Sequence, residues 1–218
     1  MDAASQINVN VMTIKNIIIK YLIVALAAFV LGTFFPNTVA KKKTESAIIS
    51  WVKNNLGFGP PRFEYHNNKE FIQALNKCID YIYLDLPVTQ RINRELMIAQ
   101  AIVESDYGQS RFAVEGNNLY GIRIWSSEGM LPYRQPDTIP WRVRSFKHKC
   151  DSVKNYVEIL NTKQVYAEFR KIRDLTFNLD PIRMAKALDN FSTNKEYEKH
   201  VIEIIKKLRN DNKSNNIR

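Results

Sequence analysis

Cysteine is scarce in this chain of 218 residues, which has only two, Cys78 and Cys150. Neither belongs to the cysteine–histidine spacing of a zinc site, and the sequence contains no glycine-rich phosphate loop. It also has no internal repeat and no strong low-complexity segment. These absences exclude zinc-finger, P-loop and repeat-array proteins, and we expect no nucleic-acid partner and no metal site.

The two cysteines lie far apart in the sequence, which leaves two interpretations open. The simpler one is a pair of separate buried thiols. The alternative is a disulfide, which becomes possible if the domain lies outside the cytoplasm. We expect Cys78 and Cys150 to lie on adjacent helices, and a disulfide would need their Cα atoms within about 7 Å.

The net charge of +10 is carried by lysines and arginines that are scattered among acidic residues. Such mixing is typical of a solvated surface, while a basic surface attracted to an anionic polymer is the functional alternative.

The amino-terminal part contains a single long apolar run, the 19 residues Ile17–Phe35, which is interrupted by Lys20. This length is just sufficient to span a bilayer if Lys20 extends toward the interface. We therefore predict that residues 1–40 form one transmembrane signal anchor, or a signal peptide cleaved after Ala40.

A glycine- and proline-rich stretch marks the next boundary. Residues 41–61 form a predicted linker that ends in GFGPP, and residues 62–210 form the predicted catalytic domain, followed by a frayed polar tail at 211–218. Helical periodicity dominates this domain. Between the helical segments, the short patterns at Gly121–Trp125, Leu131–Arg134 and Trp141–Phe146 indicate a small β-hairpin or a three-stranded lobe. The fold class is therefore mainly α (α+β).

One acidic residue stands out in this pattern. Met97, Ala101 and Glu104 share one face of a predicted helix that begins after Asn93 and ends at Gly108. The apolar neighbours and the negative end of the helix dipole both disfavour the ionised form of Glu104. Such a carboxyl can act as a general acid. The plain alternative is a helix-end glutamate in an ion pair with an arginine, either Arg111 or Arg123.

The same region carries a family resemblance. The segments AQAIVES, YGQSRFA and EGNNLYGI, within Ile98–Ile124, resemble the glucosaminidase family of peptidoglycan hydrolases (glycoside hydrolase family 73), most closely its Bax-like bacterial branch. The resemblance continues more weakly through VRSF, VYAEFRKIR and NFSTNKEY, the last ending at Tyr197. It implies a lysozyme-like, two-lobed helical domain with a small β-hairpin lobe.

The resemblance also implies a catalytic site, with Glu104 as the general acid. The second carboxylate is expected in the β-lobe, where Glu128 and Asp137 are the candidates. If neither serves, the acetamido group of the substrate could supply the nucleophile. The stereochemical outcome therefore stays open.

Four further residues are predicted to contact the substrate: Asn118, Tyr120, Trp125 and Tyr197. Tyr120 and Trp125 would stack on sugar rings, and Asn118 would bind N-acetyl groups or fix a turn. This chain has Phe191 where the family often has tyrosine, and Tyr197 could supply the missing hydroxyl.

The predicted function is hydrolysis of β-1,4 glycosidic bonds in N-acetylglucosamine-containing glycan strands, with no metal or organic cofactor. The alternatives are a lytic transglycosylase or muramidase, or a noncatalytic wall-binding envelope protein. The expected partners are peptidoglycan and, through the amino-terminal helix, the inner membrane. We expect a monomer with a periplasmic or extracytoplasmic catalytic domain, secreted if the signal is cleaved.

Overall fold

The computed structural model describes residues 20–27, 29, 48, 59–188, 191, 192, 194 and 196–215. The chain divides into two compact units, residues 1–57 and 58–218. In the first unit, residues 20–27 are helical. Most of the predicted anchor Ile17–Phe35 lies outside the described residues, as does most of the predicted linker. Within the described ranges, no helix combines the length and the apolar character needed to cross a membrane.

The second unit is mainly helical. Its α-helices are α1 (Asn68–Tyr83), α2 (Arg94–Ser105), α3 (Arg111–Glu115), α4 (Lys149–Thr162), α5 (Ala167–Leu175), α6 (Pro181–Lys186) and α7 (Tyr197–Asn215), and short 3-10 turns occur at Val88–Gln90 and Gln164–Tyr166. The tail that was predicted to fray from residue 211 is helical as far as Asn215.

Side-chain caps explain where three of these helices begin. The side chains of Asn67, Asn93 and Asp180 accept hydrogen bonds from backbone N–H groups in the first turns of α1, α2 and α6. These caps satisfy donors that have no partner within the helix. Pro181 occupies the first turn of α6, where its missing N–H and fixed φ cost nothing.

The β-structure of the second unit is a small two-stranded sheet. Strand β1 (Arg123–Ile124) pairs antiparallel with β2 (Arg142–Val143), and Met130 adds an isolated bridge to Val143. The β-hairpin alternative is confirmed, and the three-stranded alternative is wrong, because Leu131–Arg134 does not form a strand. Gln135 N–H closes a turn onto the carbonyl of Pro132, and Arg134 has a φ of 61°, so the segment leaves the extended conformation.

Helix α2 lies at the centre of the core. It packs against α1, α6 and α7, and most of its side chains are buried. A helix that is apolar on most of its surface is expected to be enclosed by others. A polar side chain on α2 therefore lies at or near the interior of the unit.

A disulfide joins two neighbouring helices of this core. Cys78 in α1 and Cys150 in α4 are bonded, with Cα atoms 5.2 Å apart. The expectation of adjacent helices is confirmed, and the interpretation as two separate thiols is wrong, because the packing of α1 against α4 brings the Cβ atoms within bonding reach.

Candidate active site

The carboxyl end of α2 presents Glu104. The helix ends at Ser105, and Asp106, Tyr107 and Gly108 follow with φ values of 49°, 52° and 78°. The end therefore comes earlier than the predicted stop at Gly108, because Asp106 already adopts the left-handed cap. The Ser105 hydroxyl accepts a hydrogen bond from Gly108 N–H at 2.9 Å and fixes the turn.

The carboxyl of Glu104 is partly buried and its proton is held unusually firmly. Burial raises the pKa of Glu104 from 4.5 to about 7, against the opposing effects of a hydrogen bond with Tyr197 and the positive charge of Arg123. Arg111, the other predicted ion-pair partner, instead contacts Glu115 at 3.5 Å. A carboxyl that is about half protonated at neutral pH can give its proton to a leaving group.

A glycine allows the backbone to approach this carboxyl. Gly121 has a φ of +60°, and a Cβ atom built on it would lie 3.0 Å from Oε2 of Glu104. A side chain here would press on the carboxylate as well as strain the backbone. Gly121 belongs to the EGNNLYGI segment, where a glycine permits both the close packing and the unusual backbone angle.

The hydroxyl of Tyr197, at the start of α7, acts on the Glu104 carboxyl and lowers its pKa. The ring of Tyr197 stacks on Phe191, with centroids 5.7 Å apart and an interplanar angle of 17°. Tyr197 is only 7% exposed. It therefore supplies a hydroxyl that Phe191 lacks, and it directs this hydroxyl to the acid.

Two residues predicted to contact substrate are instead enclosed. Asn118 is 1% exposed, donates to the carbonyls of Ile122 and Arg144, and accepts from the N–H groups of Tyr120 and Ile122. These four bonds use the capacity of the amide, so the turn-fixing alternative describes Asn118. Tyr120 is 2% exposed, stacks on Tyr156 at 4.0 Å and donates to the Met97 carbonyl, so its ring offers no face to a sugar.

The connection between β1 and β2 carries the remaining predicted residues. Trp125 is 74% exposed, and Glu128 and Asp137 are exposed as well. Beside them, the guanidinium of Arg123 lies 4.0 Å from the ring centroid of Trp141. Trp125 has a free ring surface, as stacking on a sugar requires. Glu128 and Asp137 stay alternative predictions for the second acid.

Two buried polar residues near Glu104 were not predicted. Gln100 is fully buried one turn before Glu104, and its amide contacts the hydroxyls of both Tyr156 and Tyr197. A sequence signal for Gln100 exists, because it is a polar residue within the apolar run of α2, four positions from Glu104. Tyr156 has no such signal, since its place depends on how α4 packs.

The comparison with protein families identifies a glycosidase domain in this chain. The glucosaminidase family model, described as mannosyl-glycoprotein endo-β-N-acetylglucosaminidase, matches residues 82–210. No curated relative matches the chain directly.

Two similar solved structures are the catalytic domain of the autolysin Auto from Listeria monocytogenes and a carboxy-terminally truncated glycoside hydrolase domain of Salmonella typhimurium FlgJ. The first is 15% identical with a TM-score of 0.46, over 68% of this chain and 86% of that one. The second is 18% identical with a TM-score of 0.47, over 66% of this chain and 98% of that one.

Proposed function

Because the chain belongs to the glucosaminidase family of glycoside hydrolases, we propose that it cleaves β-1,4 bonds of N-acetylglucosamine-containing peptidoglycan strands with Glu104 as general acid. The family match covers more than half of the chain and includes all of α2. The observation that carries the role of Glu104 is its partly buried position at the carboxyl end of a buried helix, where burial raises its pKa to about 7.

The proposed step begins with transfer of the Glu104 proton to the glycosidic oxygen. The bond to the anomeric carbon then breaks while positive charge grows on the sugar ring. The hydroxyl of Tyr197 and the positive charge of Arg123 both favour the carboxylate that Glu104 becomes. In the resting acid, they therefore counteract the rise in the pKa of Glu104 that burial causes. When the proton leaves, they stabilise the carboxylate that forms.

The proposal needs a second group to stabilise the sugar cation or to activate water. Glu128 and Asp137 are the candidates on the connection between β1 and β2, and the acetamido group of the substrate is the third. Trp125, on the same connection, is proposed to stack on a sugar ring.

We also propose that the domain works outside the cytoplasm, tethered by the predicted anchor Ile17–Phe35. The disulfide between Cys78 and Cys150 supports this location, because disulfides persist in oxidising compartments. The substrate lies in the same compartment. A reporter fused after Arg218 should be active only if that compartment is periplasmic or extracellular.

The decisive experiment is digestion of purified sacculi by the wild-type enzyme and by Glu104→Gln. The substitution keeps the shape and a hydrogen bond but removes the transferable proton, so we expect a loss of about 100- to 10,000-fold. Glu115→Gln is the matched control, since Glu115 is an exposed glutamate paired with Arg111. Near wild-type digestion by Glu104→Gln would refute the assignment.

The products identify the bond. Reducing N-acetylglucosamine ends support the proposal, reducing muramic acid ends indicate a muramidase, and 1,6-anhydro ends indicate a lytic transglycosylase. Binding to sacculi without any cleavage by the wild-type protein would indicate a wall-binding protein.

A further inference from the structure

A chain of three buried side chains leads from the core to Glu104. The Tyr156 hydroxyl, on α4, donates to Oε1 of Gln100. Nε2 of Gln100 donates to the hydroxyl oxygen of Tyr197 at 2.8 Å, and the Tyr197 hydroxyl in turn acts on the Glu104 carboxyl and lowers its pKa. We propose that Gln100 and Tyr156 are positioning residues that orient the hydroxyl proton of Tyr197 toward Glu104. The inference rests on the proposed function, in which Glu104 is the general acid.

The orientation is determined first at Tyr156. Its side chain is 0% exposed, so its hydroxyl proton needs an acceptor inside the protein. Among the residues that the structure describes, the amide of Gln100 is its hydrogen-bond partner. The amide must therefore turn its oxygen to Tyr156, because the reverse orientation would leave a buried hydroxyl proton without an acceptor.

The amide then determines the direction of the next bond. With Oε1 facing Tyr156, the NH₂ group of Gln100 faces Tyr197 and must donate. The Tyr197 oxygen accepts this bond, so its own proton is free to point to the carboxylate of Glu104. A reversed amide would instead take the Tyr197 proton for itself, and it would leave the carboxylate without this donor.

Through this chain, Tyr156 affects the chemistry of Glu104 without contacting it. A donor that already points at the carboxylate stabilises the anion as soon as the proton has left. Two other groups are coupled electrostatically to Glu104: Arg123 from β1 lowers the pKa of Glu104, and the charge of Glu104 raises the pKa of Tyr166. Neither belongs to the chain of hydrogen bonds, so both stay constant when that chain is broken.

The test is a direct titration of Glu104 in the full-length protein. The enzyme is labelled with ¹³C-carboxyl glutamate, and the Glu104 signal is identified by its absence from Glu104→Gln. This measurement needs no activity, so it gives a result even if the substrate differs from peptidoglycan. The same variants are then assayed for kcat/KM on sacculi as a function of pH.

Tyr197→Phe and Tyr156→Phe should both raise the pKa of Glu104. A hydrogen bond to a charged group corresponds to a shift of about one to two pKa units, which we expect for Tyr197→Phe. For Tyr156→Phe we expect about half a unit in the same direction, because the amide is free to reverse for part of the time. In the pH profile of kcat/KM, the midpoint of the high-pH limb should move to higher pH by the same number of pKa units.

The double variant Tyr156→Phe/Tyr197→Phe should shift the pKa no further than Tyr197→Phe alone, since both act through one bond. Tyr120→Phe is the matched control. It removes a buried hydroxyl from the ring stacked on Tyr156, but that hydroxyl donates to the Met97 carbonyl. It should leave the pKa of Glu104 unchanged.

Three results would overturn the proposal: an unchanged pKa in folded Tyr156→Phe, additive shifts in the double variant, or an equal shift in Tyr120→Phe. If Tyr156→Phe does not fold, Gln100→Met breaks the same link with a side chain of similar length. It must then raise the pKa of Glu104 for the proposal to stand. Loss of digestion in Glu115→Gln, or digestion by Glu104→Gln, would instead count against the proposed function alone.

Discussion

The substitution Gly121→Ala tests how closely the loop after α3 is fitted to Glu104. Gly121 has a φ of +60°, where an alanine costs about 1–2 kcal/mol. For a chain of this size, that corresponds to a fall in Tm of about 2–8 °C. The new Cβ would also lie 3.0 Å from Oε2 of Glu104, against about 3.4 Å for an ordinary contact.

The carboxylate must therefore move by about 0.4 Å, the difference between these two distances. A displacement of about 1 Å near the chemistry can cost about 100-fold in rate, so 0.4 Å corresponds to about 5- to 10-fold. We expect this loss of kcat at pH 6, measured by release of soluble fragments from labelled sacculi, at a temperature well below the Tm.

Gly121→Asn separates the two effects. Asparagine tolerates the left-handed conformation, so its Tm should be closer to that of the wild type, but it has the same Cβ. The rate should fall as far as in Gly121→Ala. Recovery of the wild-type rate in Gly121→Asn would show that the contact with Glu104 has no catalytic effect, and would refute the reasoning.

Three further predictions concern stability. Burial raises the pKa of Glu104 from 4.5 to about 7, so the folded protein holds this proton longer than the unfolded chain, and stability falls as the pH rises across that interval. In thermal melts, Glu104→Gln should be as stable as the wild type at pH 4. At pH 8 it should be more stable than the wild type, by at most about 3 kcal/mol. Equal stability of the two proteins at pH 8 would contradict this prediction. Reduction of the Cys78–Cys150 disulfide, which closes 72 positions of chain, should lower the free energy of unfolding by about 4 kcal/mol in urea melts, while a Cys78→Ala/Cys150→Ala variant should not respond to reductant. Asn118→Ala should cost about 2–4 kcal/mol in the same melts, because it leaves buried backbone groups without partners, and a loss below about 1 kcal/mol would argue against the turn-fixing role.

The features that the sequence predicted correctly are local ones. Asn93 caps the helix that follows it, as predicted, because capping depends on a few neighbouring residues. The end of α2 was misplaced for a related reason. Asp106 also adopts the left-handed conformation, and glycine is only the commonest residue there, not a required one.

The surroundings of Glu104 could not be predicted in the same way, since they depend on packing between distant segments. Tyr197 reaches α2 from 97 positions beyond Gln100, and Tyr156 from 56 positions beyond it. For Tyr120, the sequence predicted a contact with substrate that the packing excludes. An aromatic residue in a family motif suggested a sugar-stacking ring, but the position of α4 encloses it against Tyr156. Periodicity assigns faces to a helix, but it does not say which helix covers them.

The pKa of Glu104 results from opposing effects, and their magnitudes explain why burial prevails. A rise from 4.5 to about 7 corresponds to about 3 kcal/mol against the ionised form. A hydrogen bond to a charged group contributes about 1.5–3 kcal/mol in the other direction, so the desolvation of Glu104 must exceed the effect of Tyr197 and Arg123 together. Burial alone would keep the proton so firmly that transfer to a glycosidic oxygen would be slow. The contact with Tyr197 brings the pKa back to the neutral range, where a general acid is protonated and is still able to release its proton.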